Sequence, residues 1–149
     1  MPIQLVSASA FICEKILQEI DGVPTAIRIA DIFTLPEYAP KVPTALQVVD
    51  FTLMVIIKVL GVSPTEKHTV LVTMTRPDGQ ESQIFVNQNV TFSQFEGHPE
   101  IPSGASLGMR VNVSGEVMGV HYFEVFLAGK SIAKVAFTLL EPEQSQTGS

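Results

Sequence analysis

The sequence predicts an all-β protein, an antiparallel β-sandwich of seven to eight strands. Three observations carry that expectation. Apolar residues recur with a period of two along most of the chain, the spacing of a strand that buries one face. Turn sequences such as Arg76-Pro77-Asp78-Gly79 fall between the alternating stretches and join them as hairpins. The chain has 149 residues, 46% of them hydrophobic and 16% charged, which suits one core in a single domain and excludes a disordered chain. An immunoglobulin-like topology is the expected member of this class, with a small barrel or jelly roll as the alternative.

The elements follow in order. Leu5, Ser7, Ser9, Phe11 and Cys13 alternate and read as a strand over residues 3–13. Residues 14–20 read two ways, as a short helix or as an extension of that strand. Ile12, Cys13, Ile16, Leu17 and Ile20 share one helical face, with Ser9 and Gly22 as capping residues. Ile27, Ile29, Asp31 and Phe33 form a weaker strand near 25–34, after the turn Asp21-Gly22-Val23-Pro24. Pro36, Pro40 and Pro43 then forbid regular pairing. The strongest alternation is Val49, Phe51, Leu53, Val55, Ile57 and Val59 in the strand 48–60. Further strands are expected at 67–75, 82–92, 106–113, 120–127 and 131–140, with Ala128-Gly129-Lys130 turning between the last two. Residues 1–140 form one domain, and the polar residues 141–149 a flexible acidic tail.

Composition narrows the function. Net charge is −6 and the isoelectric point near 4.9, against the basic face that nucleic acid requires. The most apolar run, Val48–Leu60, is interrupted by Asp50 and Lys58 and is shorter than the ~20 residues that cross a bilayer. No secretion signal is visible at Met1-Pro2-Ile3, so a cytoplasmic location is expected. One cysteine, Cys13, excludes an internal disulfide and a multi-cysteine zinc site. No phosphate-binding loop, dinucleotide fingerprint or C-x-x-C pair occurs, so no cofactor is expected.

Several landmarks recur in an order found in a known group. A first strand ends in Cys13-Glu14, and Asp21-Gly22 and the Pro77-Asp78-Gly79 hairpin follow. Gly119-Val120-His121-Tyr122-Phe123-Glu124-Val125 then leads to Leu127-Ala128-Gly129-Lys130 and a last apolar strand. Across residues 3–140 the chain resembles an uncharacterised bacterial family of small β-sandwich proteins, a domain of unknown function. The resemblance implies the fold and brings no activity, cofactor or catalytic residue. The chain lacks the Asp that often precedes the glycine of such a hairpin at Gly129.

Few residues point to chemistry. Gly104-Ala105-Ser106-Leu107-Gly108 matches the G-x-S-x-G of hydrolases, with Glu116 and His121 after it in triad order. That motif needs a strand-to-helix elbow, whereas here a loop feeds a strand, so no catalytic residue is assigned. The loop of residues 93–106 places Glu96, His98 and Glu100 together, and Tyr38 lies in the loop of residues 35–45. These four are the candidate ligand-binding groups. No metal site is expected, because histidine spacing suited to ligation is missing. Asp31 and Asp50 stand in strands and need partners, Arg28 or Arg110 among them for Asp31. His121 shares parity with Phe123 and Val125 and reads as a hydrogen-bonded residue at the core edge. Tyr122 reads as a strand-corner tyrosine.

Apolar residues also occupy the second faces of strands: Met54 and Ile56, Tyr122 and Phe126, and Ile132. A monomeric sandwich turns polar residues outward there. These five are the candidate interface. A homo-oligomer, with a dimer favoured, is the simplest cover, and a protein partner the other. The expected function is a non-catalytic interaction or scaffold module. The alternative is a ligand-binding domain or hydrolase-like enzyme that uses the loops around 35–45 and 93–106.

Overall fold

The structure, a computed structural model, describes residues 3–18, 24–29, 32–34, 48–79, 83–115 and 117–141. These residues hold nine strands and no helix: β1 Gln4–Gln18, β2 Pro24–Ile29, β3 Ile32–Thr34, β4 Val48–Leu60, β5 His68–Thr75, β6 Gln83–Val90, β7 Ser103–Ser114, β8 Gly119–Leu127 and β9 Lys130–Leu140. They form two sheets, β2-β1-β4-β7 and β3-β9-β8-β5-β6. The pairing of β4 with β7, and the order β9-β8-β5-β6 in the facing sheet, reproduce the neighbour relations of an immunoglobulin-like sandwich.

Two elements are settled differently from the plainest sequence reading: one open alternative is decided, and one expected strand is divided. No helix covers residues 14–18, because β1 runs on as a strand to Gln18. Its second half pairs with β2, Ile16 opposite Ala26 and Leu17 opposite Thr25, while its first half pairs with β4. The ladder with β2 outweighs the weak helical spacing of Ile12, Ile16 and Leu17. The expected strand near 25–34 splits into β2 and β3, which lie in opposite sheets. β3 runs parallel to β9, Phe33 opposite Leu139, so the sandwich is antiparallel except at this edge. Asp21, Asp31 and Tyr38, with the segments around them and residues 142–149, lie outside the described residues.

The core follows the parity read from the sequence. Phe51, Leu53, Val55, Ile57 and Val59 of β4 are fully buried. They face Val70 and Val72 of β5, Phe123 and Val125 of β8, and Phe137 and Leu139 of β9 in one cluster. Aromatic rings join the sheets at its centre. Phe51 stacks on Phe33 at 5.0 Å and meets Phe137 at 5.1 Å, and Phe137 stacks on Phe123 at 5.2 Å. Phe51 on β4 and Phe123 on β8 meet edge-on at 6.1 Å, on the two strands that a disulfide links in antibody domains.

The turns hold the register. Gly79 N–H donates to the Arg76 carbonyl at 3.0 Å, and Gly79 sits at φ +74°, the conformation its place in the turn demands. Between β8 and β9 the pair Leu127–Lys130 encloses two residues at positive φ, Ala128 at 49° and Gly129 at 81°. The β8–β9 register shifts between Val125 and Phe126: Val125 faces Ala133 and Phe126 faces Ser131, which leaves Ile132 as the extra residue.

Candidate functional site

Two regions carry the residues singled out by sequence. The first is the outward faces of the sheets. On the four-stranded sheet Met54 lies between Phe11 and Gly108, with its Sδ 3.5 Å from where a Gly108 Cβ would stand. Met54 is only 3% exposed, although it stands outside the core cluster, so the single chain already hides it. Ile56, between Ser9 and Ser106, is half-buried. Cys13 on the same sheet is buried, and its thiol donates to the Thr52 carbonyl at 3.8 Å. Burial pushes that thiol's pKa up, against a smaller lowering by a backbone hydrogen bond at Lys15.

On the five-stranded sheet, Tyr122 lies between Thr75 and Ala136, and Phe126 opposite Leu71. Val120 is 41% and Tyr122 38% exposed. Tyr122 therefore points outward and does not form the strand corner expected of it. Its ring carries the Lys134 ammonium 4.6 Å from its centre. The inward neighbour is His121, 1% exposed, stacked on Phe137 at 4.7 Å with Nδ1 3.1 Å from the Gly119 carbonyl. Ile132, displaced by the bulge, packs against the core cluster.

The second region is the end of the sandwich where residues 91–102 cross from β6 to β7. Ser93 and Gly104 exchange both backbone hydrogen bonds, at 3.1 and 3.2 Å, and pin this crossing to the start of β7. The turn beyond is closed by His98 N–H to the Phe95 carbonyl and Ile101 N–H to the His98 carbonyl. His98 Nδ1 lies 3.0 Å from a Glu100 oxygen, both exposed, and the Phe95 ring stands 6.0 Å from the imidazole. Glu96 is exposed beside them. So His98 and Glu100 do meet, but on the solvent side of the turn. No cluster of three or more His, Cys, Asp or Glu suited to a metal forms among the described residues. Ser106 lies within β7 opposite Ile56, with strand on both sides, so the strand-to-helix elbow of a G-x-S-x-G nucleophile is not formed.

Beneath this crossing lies an open cleft of about 710 Å³, walled by Phe95, Ile101, Leu107, Asn89, Ser106 and Lys58 among others. Lys58 faces Gly104 directly across the β4–β7 ladder. A Cβ on Gly104 would stand 2.6 Å from the Lys58 Nζ, so the glycine is what lets the ammonium lie there. Nothing in the local sequence marks Lys58 and Gly104 as a pair. Their meeting is a matter of register, and a G-x-S-x-G motif draws attention to the serine instead. Nearby, His68 is 6% exposed against the Phe92 ring. Its buried Nε2 has no hydrogen-bond partner among the described residues, and the nearest Glu66 oxygen is 3.8 Å away. Asp50 finds Arg110, at 2.6 Å and exposed.

No family model and no curated protein matches the chain. Among solved structures it is similar to an immunoglobulin-like protein of Pseudomonas aeruginosa, at 14% identity and a TM-score of 0.39, over 94% of this chain and 98% of that one. It is also similar to an alkylpurine DNA glycosylase of Pseudomonas fluorescens bound to DNA with an abasic-site analogue. That match has 13% identity and a TM-score of 0.38, and covers 87% of this chain and 30% of the glycosylase. Neither protein's activity is carried over to this chain. Among the described residues no helix is long and apolar enough to cross a membrane.

Proposed function

We propose that the chain is a non-catalytic β-sandwich interaction module that pairs with a second copy of itself through the outer face of β5, β8 and β9. The observation that supports this is a set of apolar residues on that face. Leu71 and Phe126 are cross-strand neighbours, as are Tyr122 and Ala136, with Val120 exposed beside them. The two charged residues among them have contacts on the same face. Lys134 sits over Tyr122, Glu124 accepts from Ser131 at 2.6 Å, and Glu124 lies opposite Lys134 in the ladder. A partner covering this face must leave Lys134 and Glu124 these contacts or their hydration, because burying either charge unpaired is costly. A twofold axis is the simplest way to cover one such face with another. A cytoplasmic, reducing compartment belongs to this reading, since the single cysteine is buried and unpaired with another. So does a place in the bacterial family that the chain resembles.

Sedimentation velocity tests it. The full chain is expected to run as a dimer at micromolar concentration, and Phe126→Lys as a folded monomer with an unchanged far-ultraviolet circular dichroism spectrum. A wild-type monomer at high micromolar concentration overturns the proposal. The cleft beside residues 93–106 supports a second reading, a ligand site.

A further inference from the structure

We infer that the cleft between β6 and β7 binds a small organic anion, a carboxylate or phosphate monoester on an apolar body, with Lys58 as the charged anchor. This site is separate from the sheet face assigned to pairing.

Charge is the first argument. The chain carries 15 acidic against 9 basic residues, yet the described residues that line the cleft include one ammonium and no carboxylate. Lys58 makes no ion pair or hydrogen bond among the described residues, and lies where Gly104 leaves room for its Nζ. In an acidic protein, a lone cation in an acid-free concavity is a local positive field that an anion relieves.

A neutral donor lines the same cleft. Ser106, exposed on β7 two residues beyond Gly104, is among its walls. Gln94 is anchored by a bond from its Nε2 to the Val62 carbonyl, so this crossing of the chain is tied to the segment that follows β4 and holds the wall in place. A hydroxyl and an ammonium suit an oxyanion.

Size and apolar lining define the rest of the ligand. About 710 Å³ lies within the roughly 300–1,000 Å³ of small-molecule sites. Phe95, 65% exposed, and Ile101, 39% exposed, stand at the rim, an apolar surface that a ring or short chain would cover. Lys binds as a point charge and does not demand the planar fork geometry that selects carboxylate over phosphate, so both anions belong to the class.

The test is a titration of the isotopically labelled full chain by nuclear magnetic resonance with benzoate, phenyl phosphate and the uncharged benzyl alcohol, at constant ionic strength. Saturable shifts are expected at Gly104 and Ser106 with benzoate, phenyl phosphate or both, and none with benzyl alcohol. Whichever anion saturates identifies the headgroup. Lys58→Met, at an exposed position, is expected to weaken binding by about tenfold or more, the size of one charge-assisted hydrogen bond. Gly104→Ala keeps the charge but displaces the ammonium, and is also expected to weaken binding. The double variant is then no weaker than Lys58→Met alone, because both changes act through one group. Three results overturn the inference: no saturable binding of either anion, equal binding of benzyl alcohol, or an unchanged affinity in Lys58→Met.

Discussion

His121 shows how a single buried side chain makes stability depend on pH. Burial disfavours its imidazolium and holds its pKa below the ordinary 6.5; the Gly119 carbonyl pulls the other way, and Arg76 and Asp78 oppose each other more weakly. The unfolded chain therefore takes up a proton near pH 6.5 that the folded chain resists. The stability His121 contributes is complete above that pH and declines as acid is added, down to the folded-state pKa. Melting temperatures between about pH 8 and about pH 5 should fall on acidification in the wild type and fall less in His121→Gln. Equal slopes would show that the proton goes elsewhere. The inward place of His121 was legible from its parity with Phe123 and Val125. The outward turn of Tyr122 follows from the same parity, which places it on the face opposite His121. Lys58 with Gly104, and Arg110 with Asp50, were not legible, because each pair is brought together by strand register and not by sequence spacing.

Elements differ in how firmly local sequence commits them. The β8–β9 hairpin is committed by its two-residue loop, yet Ala128 occupies a left-handed position at φ 49° that costs an L-residue roughly 1–2 kcal/mol. Asn tolerates that conformation. Ala128→Asn should raise the melting temperature by about 2–4 °C, as expected for about 1 kcal/mol in a chain of this size. No rise in a thermal melt would mean that Ala128 is unstrained there. β1 is the opposite case. Its residues 14–18 satisfy two periods, and the ladder with β2 decides between them. In β9 a bulge at Ile132, just before Ala133, ends the parity rule, so Ile132 joins the core although its even number placed it outside. Alternation carries no record of where a bulge will fall.

For the whole molecule, the joint between the sheets is aromatic. No disulfide links β4 and β8, and Phe51 meets Phe33, Phe123 and Phe137 in their place. Phe51→Ala should cost about 3–5 kcal/mol, a large part of the roughly 5–15 kcal/mol of a typical domain. Urea denaturation would show it as a lower midpoint. Phe51→Leu keeps most of the volume and should lose less, and a loss below about 1 kcal/mol for the alanine variant would place the joint elsewhere. By itself, the sequence determined the strands, their inward rows and the turns, because alternation and turn chemistry act over a few neighbouring residues. Only the tertiary structure decided which strands pair, that residues 24–34 divide between two sheets, and that Lys58 lies over Gly104. Those outcomes come from register between residues far apart in the chain, where no local preference discriminates.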